Sequence, residues 1–589
     1  MPELSTRLGQ IECLEPRRLL SIVPMGGEVR ANAHTANQQI SARAAVGPDG
    51  SFVVAWTSVD QAGTGSGQDV YARRFDPSGL PLGSEFLVNT VTAGTQSLPA
   101  IAMSDGLQFV IVWAGRTPEG GGNEIYARRF DGAGQPLGDE FRVNTYSGGD
   151  ESFPVIAMDA EGDFVVTWDT FNPSVGDGYD VYARRFSSAG VPLGDDFVVN
   201  TDVPNHDYTS SIAMDDAGNF VVVWHSEFQD GSGHGVYGRL FDASGQGKGN
   251  EFRVNSTTTN HQLFPSVAMV LDGDFVVAWQ SEAQDGSGTG VFAQRFSAGG
   301  APLGPEFIVN TFTSGPQEAP SVATDAAGNF LIAWESFGPE PSGLGVRARA
   351  FRADGSALGG EFGVNTYLTS DQAFASVGMN LHGDAVIAWQ SFGQDGDRNG
   401  IYAQRYRFDE IAPAVSASTF KYQTSPHELR VTFTENVSAS LSSADLTVVN
   451  LAGGPPIPTT LSDYDVATNT ATFTFGSLLP DGNYRATLNA AGVTDPAGNA
   501  LAADHVFEFF FLRGDANHDA RVNLSDLNIL AANFGQSGRD FTQGDFNYDG
   551  VVNLFDFNLL AARFGMVLSP AARAAEPETE GDALGDLLG

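Results

Sequence analysis

The chain has 589 residues, too many for a single hydrophobic core, so we expect several domains. Its 31 lysines and arginines against 71 aspartates and glutamates give a net charge of −40, which argues against nucleic acid and anionic membrane surfaces as partners. No apolar run reaches the roughly 18 residues of a membrane span, and the single cysteine, Cys13, excludes an intrachain disulfide.

Residues 1–27 have the character of a leader segment. Arg17 and Arg18 precede an apolar run at residues 19–23 that is shorter than the apolar region of an ordinary signal peptide. The string at residues 14–21 resembles a leader motif of many large exported proteins of one bacterial phylum. The resemblance implies an extracellular or cell-surface location, by an export route that the sequence does not specify.

A repeat of 55 to 57 residues occupies residues 28–409. The tryptophans of the chain all stand at one position of this repeat: Trp56, Trp113, Trp168, Trp224, Trp279, Trp334 and Trp389. Each copy has four short β-rich runs separated by Gly, Asp and Pro turns. Four strands in each of seven copies predict a seven-bladed β-propeller, with an open stack of seven β units as the alternative.

The last β run of each copy begins with an acidic residue. The positions of these acids relative to the tryptophans indicate whether the ring of blades closes. It recurs at Glu85, Glu140, Asp196, Glu251, Glu306 and Glu361. A degenerate version beginning at Glu28 precedes the first tryptophan, and none follows the last one. We therefore expect the N-terminal strand to complete the last blade, which removes an exposed sheet edge.

Arginines recur one run earlier than these acids, at Arg73, Arg128, Arg184, Arg239 and Arg349. Their repetition predicts cross-strand ion pairs or carbonyl contacts within each blade, and the alternative is a cluster that binds a carboxylate-bearing sugar. The repeated strings resemble repeats common in large bacterial surface proteins. That resemblance implies no reaction.

Residues 410–511 follow a different β pattern, in which apolar and polar residues alternate as in the half-buried strands of a sandwich. The run from Thr432 to Val437, together with the run from Gly492 to Leu501, resembles bacterial Ig-like modules of surface proteins. The resemblance implies an Ig-like β-sandwich that serves as a spacer.

Two acidic loops lie thirty residues apart within residues 512–566. Oxygen ligands fall at loop positions 1, 3, 5, 7, 9 and 12, the pattern that wraps a hard cation such as Ca²⁺. The predicted calcium ligands are Asp515, Asn517, Asp519, Arg521, Asn523 and Asp526 in the first loop, and Asp545, Asn547, Asp549, Val551, Asn553 and Asp556 in the second, with Arg521 and Val551 contributing main-chain carbonyls. Position 6 is Ala520 in the first loop, where Gly550 of the second suits the sharp turn better, so we expect the first loop to bind more weakly.

Each loop leads into a short apolar helix that ends in Phe-Gly. A duplicated loop–helix unit of this length resembles a type I dockerin, the calcium-dependent module that docks an extracellular protein onto a cohesin. The resemblance implies a small α-helical calcium-binding domain with a cohesin-like partner, contacted through Leu524, Ser525, Leu554 and Phe555. The Ala-, Pro- and Glu-rich residues 567–589 predict a disordered acidic tail.

The candidate ligand surface of the propeller is the face that carries the loops after the second strands and the connections between blades. His206 and His261 lie on those connections at the repeat's own period, and turns such as Gln284-Asp285-Gly286 lie beside them. No metalloprotease, serine-hydrolase or phosphate-loop motif occurs. The fold class is thus mainly β: a seven-bladed propeller, an Ig-like sandwich and a small helical calcium-binding domain.

These patterns predict an extracellular calcium-binding modular protein whose propeller binds carbohydrate or protein ligands without catalysis. Possible ligands include a polysaccharide or a surface glycan. The alternative is a polysaccharide-degrading glycoside hydrolase, because two acids placed for hydrolysis can be distant in sequence. A non-repeated group of carboxylates at the propeller axis would favour the enzyme, and seven equivalent blades would favour binding.

Overall fold

The computed structural model describes residues 21–63, 65–116, 121–146, 149–171, 178–201, 206–338, 343–409, 412–466, 468–495 and 499–569. The predicted leader up to residue 20 and the predicted acidic tail from residue 570 lie outside the described residues. The first compact unit is Ser21–Asp409, and the described residues after it belong to a second unit. The fold is mainly β, as predicted, and no described helix has the length and apolar character needed to cross a membrane.

Residues 21–409 form seven antiparallel sheets that follow the predicted repeat. The first strands are Gln39–Val46, Thr95–Met103, Asp150–Met158, Asp207–Met214, Gln262–Met269, Gln317–Thr324 and Gln372–Met379. The second strands are Phe52–Val59, Phe109–Arg116, Phe164–Phe171, Phe220–Glu227, Phe275–Glu282, Phe330–Phe337 and Asp384–Phe392. The third strands are Gln68–Phe75, Glu124–Phe130, Tyr179–Phe186, His234–Phe241, Thr289–Phe296, Leu344–Phe351 and Asn399–Asp409.

The fourth strands are only two residues long. They are Phe86–Leu87, Phe141–Arg142, Phe197–Val198, Phe252–Arg253, Phe307–Ile308, Phe362–Gly363 and, in the seventh sheet, Val29–Arg30. An additional N-terminal strand, Ser21–Pro24, pairs with the end of the third strand of the seventh sheet. We number the sheets as blades 1 to 7 in the order of their tryptophans.

The second strand of each blade is buried on both faces because a neighbouring blade covers each side. In blade 5 the residues Phe275 to Ser281 are all buried. Trp279 belongs to one hydrophobic cluster with Val223 and Val236 of blade 4, and the Phe275 ring stacks on that of Phe296 at 5.1 Å. Such continuous apolar runs are expected of strands with no solvent-facing side. The repeated tryptophans are therefore packing residues.

The first strands surround the propeller axis. Residues from all of them line one axial cavity of about 330 Å³, as Val46, Ile212 and Val377 illustrate. The two-residue fourth strands lie at the outer edge of each sheet. Side chains near the start of a first strand therefore lie close to one end of the axis, and those near its end lie close to the other.

The ring closes through the N-terminal strand, as predicted. Val29 and Arg30 pair with Ala403 and Tyr402 of the third strand of blade 7. Asn32 accepts a hydrogen bond from the backbone N–H of Ile401 at 2.7 Å, which reproduces the contact that Asn89 makes with Val70 inside blade 1. Blade 7 and blade 1 also share one hydrophobic cluster. The open stack of β units is therefore excluded.

The repeated acids and arginines connect neighbouring blades through main-chain groups. Glu85 of blade 1 accepts from the backbone N–H of Ala33, in the chain that leaves blade 7. Arg184 donates to the carbonyl of Gly194 in its own blade, at 3.1 Å, and to that of Val143 in the preceding blade, at 2.6 Å. The predicted carbonyl contacts within a blade are present, and the contact to the preceding blade was not foreseen. Because main-chain carbonyls occupy these donors, the structure gives no support to an arginine site for acidic sugars.

The second unit contains a β-sandwich of a four-stranded and a three-stranded sheet. The larger sheet has the order Val415–Lys421, Glu428–Phe433, Thr470–Phe475 and Thr459–Asp465, and the smaller has the order Leu446–Asn450, Gly482–Leu488 and His505–Phe511. Alternate residues of the strands are buried, as the sequence pattern predicts. The short 3₁₀ helices Ser443–Asp445 and Ala490–Gly492 lie in its connections.

Residues 512–569 contain two short helices, α1 (Leu524–Asn533) and α2 (Leu554–Ala561), and the 3₁₀ helix Phe541–Gln543. Asn523 and Asn553 cap the two helices by accepting from the second backbone N–H of each. The apolar side chains of this segment belong to the same hydrophobic cluster as those of the sandwich. The predicted helical calcium domain is therefore a small segment packed on the sandwich within one compact unit.

Candidate functional site

One end of the propeller, which we call the loop face, carries the loops between second and third strands and the connections between blades. In blade 4 the backbone N–H of Glu227, at the end of the second strand, donates to the carbonyl of His206, on the incoming connection. Glu282 and His261 repeat this contact in blade 5. The two kinds of segment therefore lie side by side, as predicted for the candidate ligand surface.

The repeated Gln-Asp-Gly loops on this face are structural turns. Gln284 donates from Nε2 to Glu306 at 2.7 Å, and Gln394 does the same to Glu28 at 3.0 Å. Asp285 Oδ1 accepts from the backbone N–H of Ser287 at 3.0 Å, an Asx turn. These contacts hold the loops, while Oε1 of Gln284 and Oε1 of Gln394 are buried without a hydrogen-bond partner.

A non-repeated group of rings, which we call the histidine–tyrosine cluster, interrupts the loop face at blades 4 and 5. It consists of His206, Tyr208, His225, His234 and His261. The Tyr208 hydroxyl lies 2.9 Å from His234 Nε2, and His234 Nδ1 lies 2.9 Å from His261 Nδ1. The rings of Tyr208 and His225 are in edge-to-face contact, with their centroids 4.5 Å apart.

Burial keeps two histidines of the cluster, His225 and His234, in the uncharged state. Burial lowers the pKa of His225 to about 3 and, together with the neighbouring His261 charge, lowers the pKa of His234. Burial and the carboxylates of Glu227 and Asp169 raise the pKa of Tyr208. Near neutral pH His225 and His234 are thus neutral imidazoles and Tyr208 is a neutral phenol, and all three act as hydrogen-bond donors and acceptors. In the part of the chain that the structure describes, no three His, Cys, Asp or Glu side chains are arranged to hold a metal ion.

Four buried carboxyls depart from the repeat and lie at blade interfaces. Glu151 and Asp207 replace a repeated glutamine of the first strand, and Asp169 and Glu335 follow the tryptophan of the second strand. Burial raises the pKa of each, to about 8 for Glu151 and Asp207 and to about 7 for Asp169 and Glu335. Asp169 accepts from the backbone N–H of Thr209 at 2.7 Å, and Asp207 directly precedes Tyr208 in the chain. Both carboxyls are therefore close to Tyr208.

A β-bulge in each first strand places one residue in the left-handed backbone region at the loop-face end. The bulge residues of blades 1 to 7 are Ser41, Leu98, Phe153, Thr209, Phe264, Ala319 and Phe374, with φ between 50° and 58°. Phe153, Phe264 and Phe374 expose 49%, 44% and 52% of their surfaces. We call these three residues the phenylalanine triad; the sequence did not reveal it, because the bulge residue varies from Ser to Phe.

The bulge does not require an aromatic residue, because Ser41 and Ala319 adopt it too. A left-handed conformation costs a residue with a β-carbon about 1–2 kcal/mol, and exposing a large ring to water adds to this cost. A neighbouring side chain holds the strained backbone: Glu335 accepts from the N–H of Phe374 at 2.8 Å and Gln280 from that of Ala319 at 3.0 Å. Strained residues held in this way are typical of functional surfaces.

The two acidic loops of the second unit have the same backbone and hydrogen bonds. Asp515 accepts from the N–H groups of Asp519 and Ala520 at 3.1 and 2.8 Å, and Asp545 makes the equivalent bonds in the second loop. Positions 4 and 6 have positive φ in both loops, including 66° at Ala520. Asp526 and Asp556 are buried and accept from backbone N–H groups at the start of their loops.

The predicted ligand residues therefore lie together in each loop, and their donor types are those of a hard-cation site. The three aspartates of a loop do not by themselves form a group that could hold a metal ion, so a bound cation would also need the amide and main-chain oxygens. The donor set contains carboxylate, amide and main-chain oxygens, which are the ligands that Ca²⁺ prefers. Asp515, Asp526, Asp545 and Asp556 are buried, while Asn517, Asp519 and Asp549 are more open. The carboxylates presently bond to the loop's own N–H groups, so cation binding would use the oxygens that remain.

The four residues predicted to contact a protein partner lie in the first turns of α1 and α2. Leu524, Leu554 and Phe555 expose 64%, 62% and 72% of their surfaces, and Ser525 is exposed as well.

Comparison with known proteins identifies one segment. A family model described as a bacterial Ig-like domain matches residues 404–511, so the predicted Ig-like sandwich is confirmed. No curated protein sequence matches the chain.

Several solved structures are similar in fold. A protein of unknown function from Dyadobacter fermentans is 11% identical and aligns over 66% of this chain and all of its own, with a TM-score of 0.41. An α-L-arabinanase from Penicillium chrysogenum, solved with arabinobiose, is 11% identical over 52% of this chain and 92% of its own, with a TM-score of 0.37. An α-L-arabinofuranosidase from Fusarium graminearum is 12% identical over 57% and 98%, with a TM-score of 0.39. Likeness at this level carries no argument about ligand or reaction.

The identification of the C-terminal segment as a dockerin is wrong. The matching family model ends at residue 511, before the first acidic loop, and the described part of the segment holds only two short helices that pack into the core of the sandwich. The resemblance rested on loop spacing, and loop spacing follows from ligand geometry in many unrelated folds. The cohesin-like partner that the resemblance implied has no support.

Proposed function

We propose that this protein is a binding protein whose propeller takes up a neutral polysaccharide at the loop face. The observation that carries the proposal is the phenylalanine triad: three strained, half-exposed rings on the strands that surround the axis. An exposed aromatic face packs against the apolar face of a sugar ring, while nearby polar groups bond its hydroxyls.

The surroundings of the triad favour a sugar chain over a protein surface. Going round the ring of blades, Thr209 lies between Phe153 and Phe264, Ala319 lies between Phe264 and Phe374, and Ser41 and Leu98 lie between Phe374 and Phe153, so the three rings occupy separate blades. Tyr208, His225 and His234 provide hydrogen-bonding groups beside Phe264, whose ring centroid lies 5.8 Å from that of His225. The net charge of −40 disfavours acidic glycans.

A glycan array probed with the full chain tests this proposal. We expect retention of at least one neutral polysaccharide, and we expect the triple variant Phe153→Ala, Phe264→Ala, Phe374→Ala to lose it by 10-fold or more. Leu80→Ala is the matched control, because Leu80 is an exposed apolar residue in a turn at the opposite end of the propeller. Full retention by the triple variant, or no glycan bound, would reject the proposal.

Glycoside hydrolysis is a second candidate, favoured by Asp169 and Asp207. These non-repeated carboxyls flank Tyr208, and both have raised pKa values of the kind that a general acid requires. Both are fully buried, so hydrolysis would require the blade 3–blade 4 interface to open. Incubation of bound glycans with the wild type and with Asp169→Asn decides between the two functions: sugar released by the wild type alone supports the enzyme, and retention without release supports binding.

We further propose that the acidic loops bind Ca²⁺. The support is the repeated set of oxygen ligands and the shared backbone of the two loops. Extracellular modules of this kind have dissociation constants of about 10⁻⁴ to 10⁻³ M, so such sites fill outside a cell, in keeping with an extracellular or cell-surface location. Isothermal titration with CaCl₂ tests this, with Asp545→Asn expected to remove one of two sites; an absence of heat at millimolar calcium would reject it.

A further inference from the structure

The side chain of the fourth residue of each acidic loop points away from its loop and packs against the Ig-like sandwich. These residues are His518 and Tyr548, both with positive φ, 55° and 62°. Each is flanked by predicted calcium ligands at positions 3 and 5. Position 4 is not among the predicted calcium ligands. The packing of these two side chains against the sandwich is therefore not explained by cation binding alone.

His518 is held between two aromatic rings of the sandwich. Its imidazole stacks on Tyr422 with centroids 4.0 Å apart and planes 8° apart, and on Phe510 with centroids 4.0 Å apart and planes 15° apart. Tyr422 follows the first strand of the larger sheet and Phe510 lies on the last strand of the smaller. One loop residue thus joins both sheets.

Tyr548 makes the corresponding contact from the second loop by hydrogen bonds. Its hydroxyl donates to the carbonyl of Tyr422 at 2.8 Å and lies 2.8 Å from His427 Nε2. His427 is fully buried and its ring packs on Phe511 at 4.5 Å. Both loops therefore converge on one region of the sandwich around Tyr422.

The position-4 backbone depends on the ligands beside it. The N–H groups at positions 5 and 6 bond to the first aspartate of each loop, and this closes the turn that projects His518 or Tyr548 outward. Three carboxylates in a loop repel one another, and a divalent cation removes that repulsion. The first aspartate of each loop, a predicted cation ligand, therefore also holds the turn that projects His518 or Tyr548.

We propose that calcium in these loops acts as a clamp, which fastens the C-terminal segment to the Ig-like sandwich through His518 and Tyr548. The inference rests on the calcium binding proposed above. Because a ligand that binds only the docked form stabilises it by mass action, calcium stabilises the strands of the sandwich as well as the loops. The clamp makes sandwich stability a function of extracellular calcium.

Hydrogen exchange of the full chain, measured by mass spectrometry with and without CaCl₂, tests the clamp alongside titration calorimetry. We expect calcium at 100 times its dissociation constant to slow exchange in Glu428–Phe433 and Thr470–Phe475 by up to about 100-fold. His518→Ala and Tyr548→Phe should retain calcium heats and lose most of this protection. Tyr464→Phe is the control: its hydroxyl accepts from the N–H of Val437 within the sandwich, so this variant should weaken the sandwich and keep its calcium response.

The outcomes separate the two proposals. Calcium heats without any change of exchange in the sandwich would overturn the clamp and leave calcium binding intact. An absence of calcium heats would overturn both. Equal protection by calcium in the wild type, His518→Ala and Tyr548→Phe would show that coupling does not pass through these side chains, and would also overturn the clamp.

Discussion

His234 and His261 bring their Nδ1 atoms within 2.9 Å of each other, across the boundary between blades 4 and 5. One imidazole must donate and the other must accept, so the pair cannot be doubly protonated without losing the contact. This contact belongs to the only histidine-rich part of the described loop face.

The first prediction concerns acid stability. The pKa of His225 is lowered from 6.5 to about 3 by burial, so the unfolded chain binds a proton that the native chain does not as the pH falls below 6.5. Stability is therefore present above pH 6.5 and is lost progressively below it, by about 2 kcal/mol at pH 5. We expect His225→Gln to lose less stability between pH 8 and pH 5 than the wild type, measured by thermal melts. Gln280 and Gln390 occupy the equivalent position, so glutamine fits there; equal losses would contradict the prediction.

The second prediction has the opposite sign and concerns Glu151. Burial raises its pKa from 4.5 to about 8, so the native state keeps a proton that the unfolded state releases, and stability falls as the pH rises from 4.5 to 8. Glu151→Gln should raise the stability at pH 7 by up to about 3 kcal/mol and change it little at pH 4.

A reciprocal variant controls for this effect. Gln262 occupies the same position of blade 5 and is fully buried. Gln262→Glu should be less stable than the wild type at pH 7, by about as much as Glu151→Gln is more stable. The midpoints of urea unfolding measure both differences. Identical pH profiles for the wild type and both variants would show that these positions do not titrate on unfolding.

The third prediction concerns the closure of the ring. Asn32→Ala leaves the N–H of Ile401 buried without its partner, at a cost of about 1–3 kcal/mol. Asn89→Ala removes the equivalent bond to Val70 inside a blade formed by a continuous segment of chain, and should cost a similar amount. Only Asn32→Ala should accelerate hydrogen exchange along Asn399–Asp409. The same exchange pattern in both variants would mean that the closing strand is no weaker than the others.

The fourth prediction concerns the backbone of the acidic loops. Ala520 holds φ at 66° where the second loop has Gly550 at 81°. Ala520→Gly should therefore stabilise the second unit by about 1 kcal/mol and strengthen calcium binding at the first loop, and Gly550→Ala should do the reverse at the second. Calorimetric titration and thermal melts of the two variants measure both effects. If Ala520→Gly weakens the first loop, the strain at position 6 is not what limits it.

The propeller could be predicted from the sequence because each blade repeats its chemistry. Trp279 and its six equivalents define the period, and the solitary Glu28 marks where the ring must close. The Ig-like sandwich was recognisable for a similar reason: strict alternation along Leu429, Val431 and Phe433 leaves only one face to bury.

The candidate binding surface was only partly predictable. The connections that carry His206 and His261 were recognised from their period, whereas His225 and His234 join them through the register of two paired strands. The phenylalanine triad depends on a bulge that shifts the register of each first strand, and no residue type marks that shift. The docking of His518 and Tyr548 was missed for another reason: loop spacing describes ligand geometry and says nothing about what the loop packs against.

The pairing of Val29–Arg30 with Asn399–Asp409 has a consequence for synthesis of the chain. The segment that completes the last blade leaves the ribosome before blade 1 and must wait for a partner that emerges after six other blades. Contacts of such long sequence separation form slowly, and until they form the newest sheet has a free edge open to other chains. A nascent or truncated propeller is therefore expected to need a chaperone, or dilution, in the interval before its two ends meet.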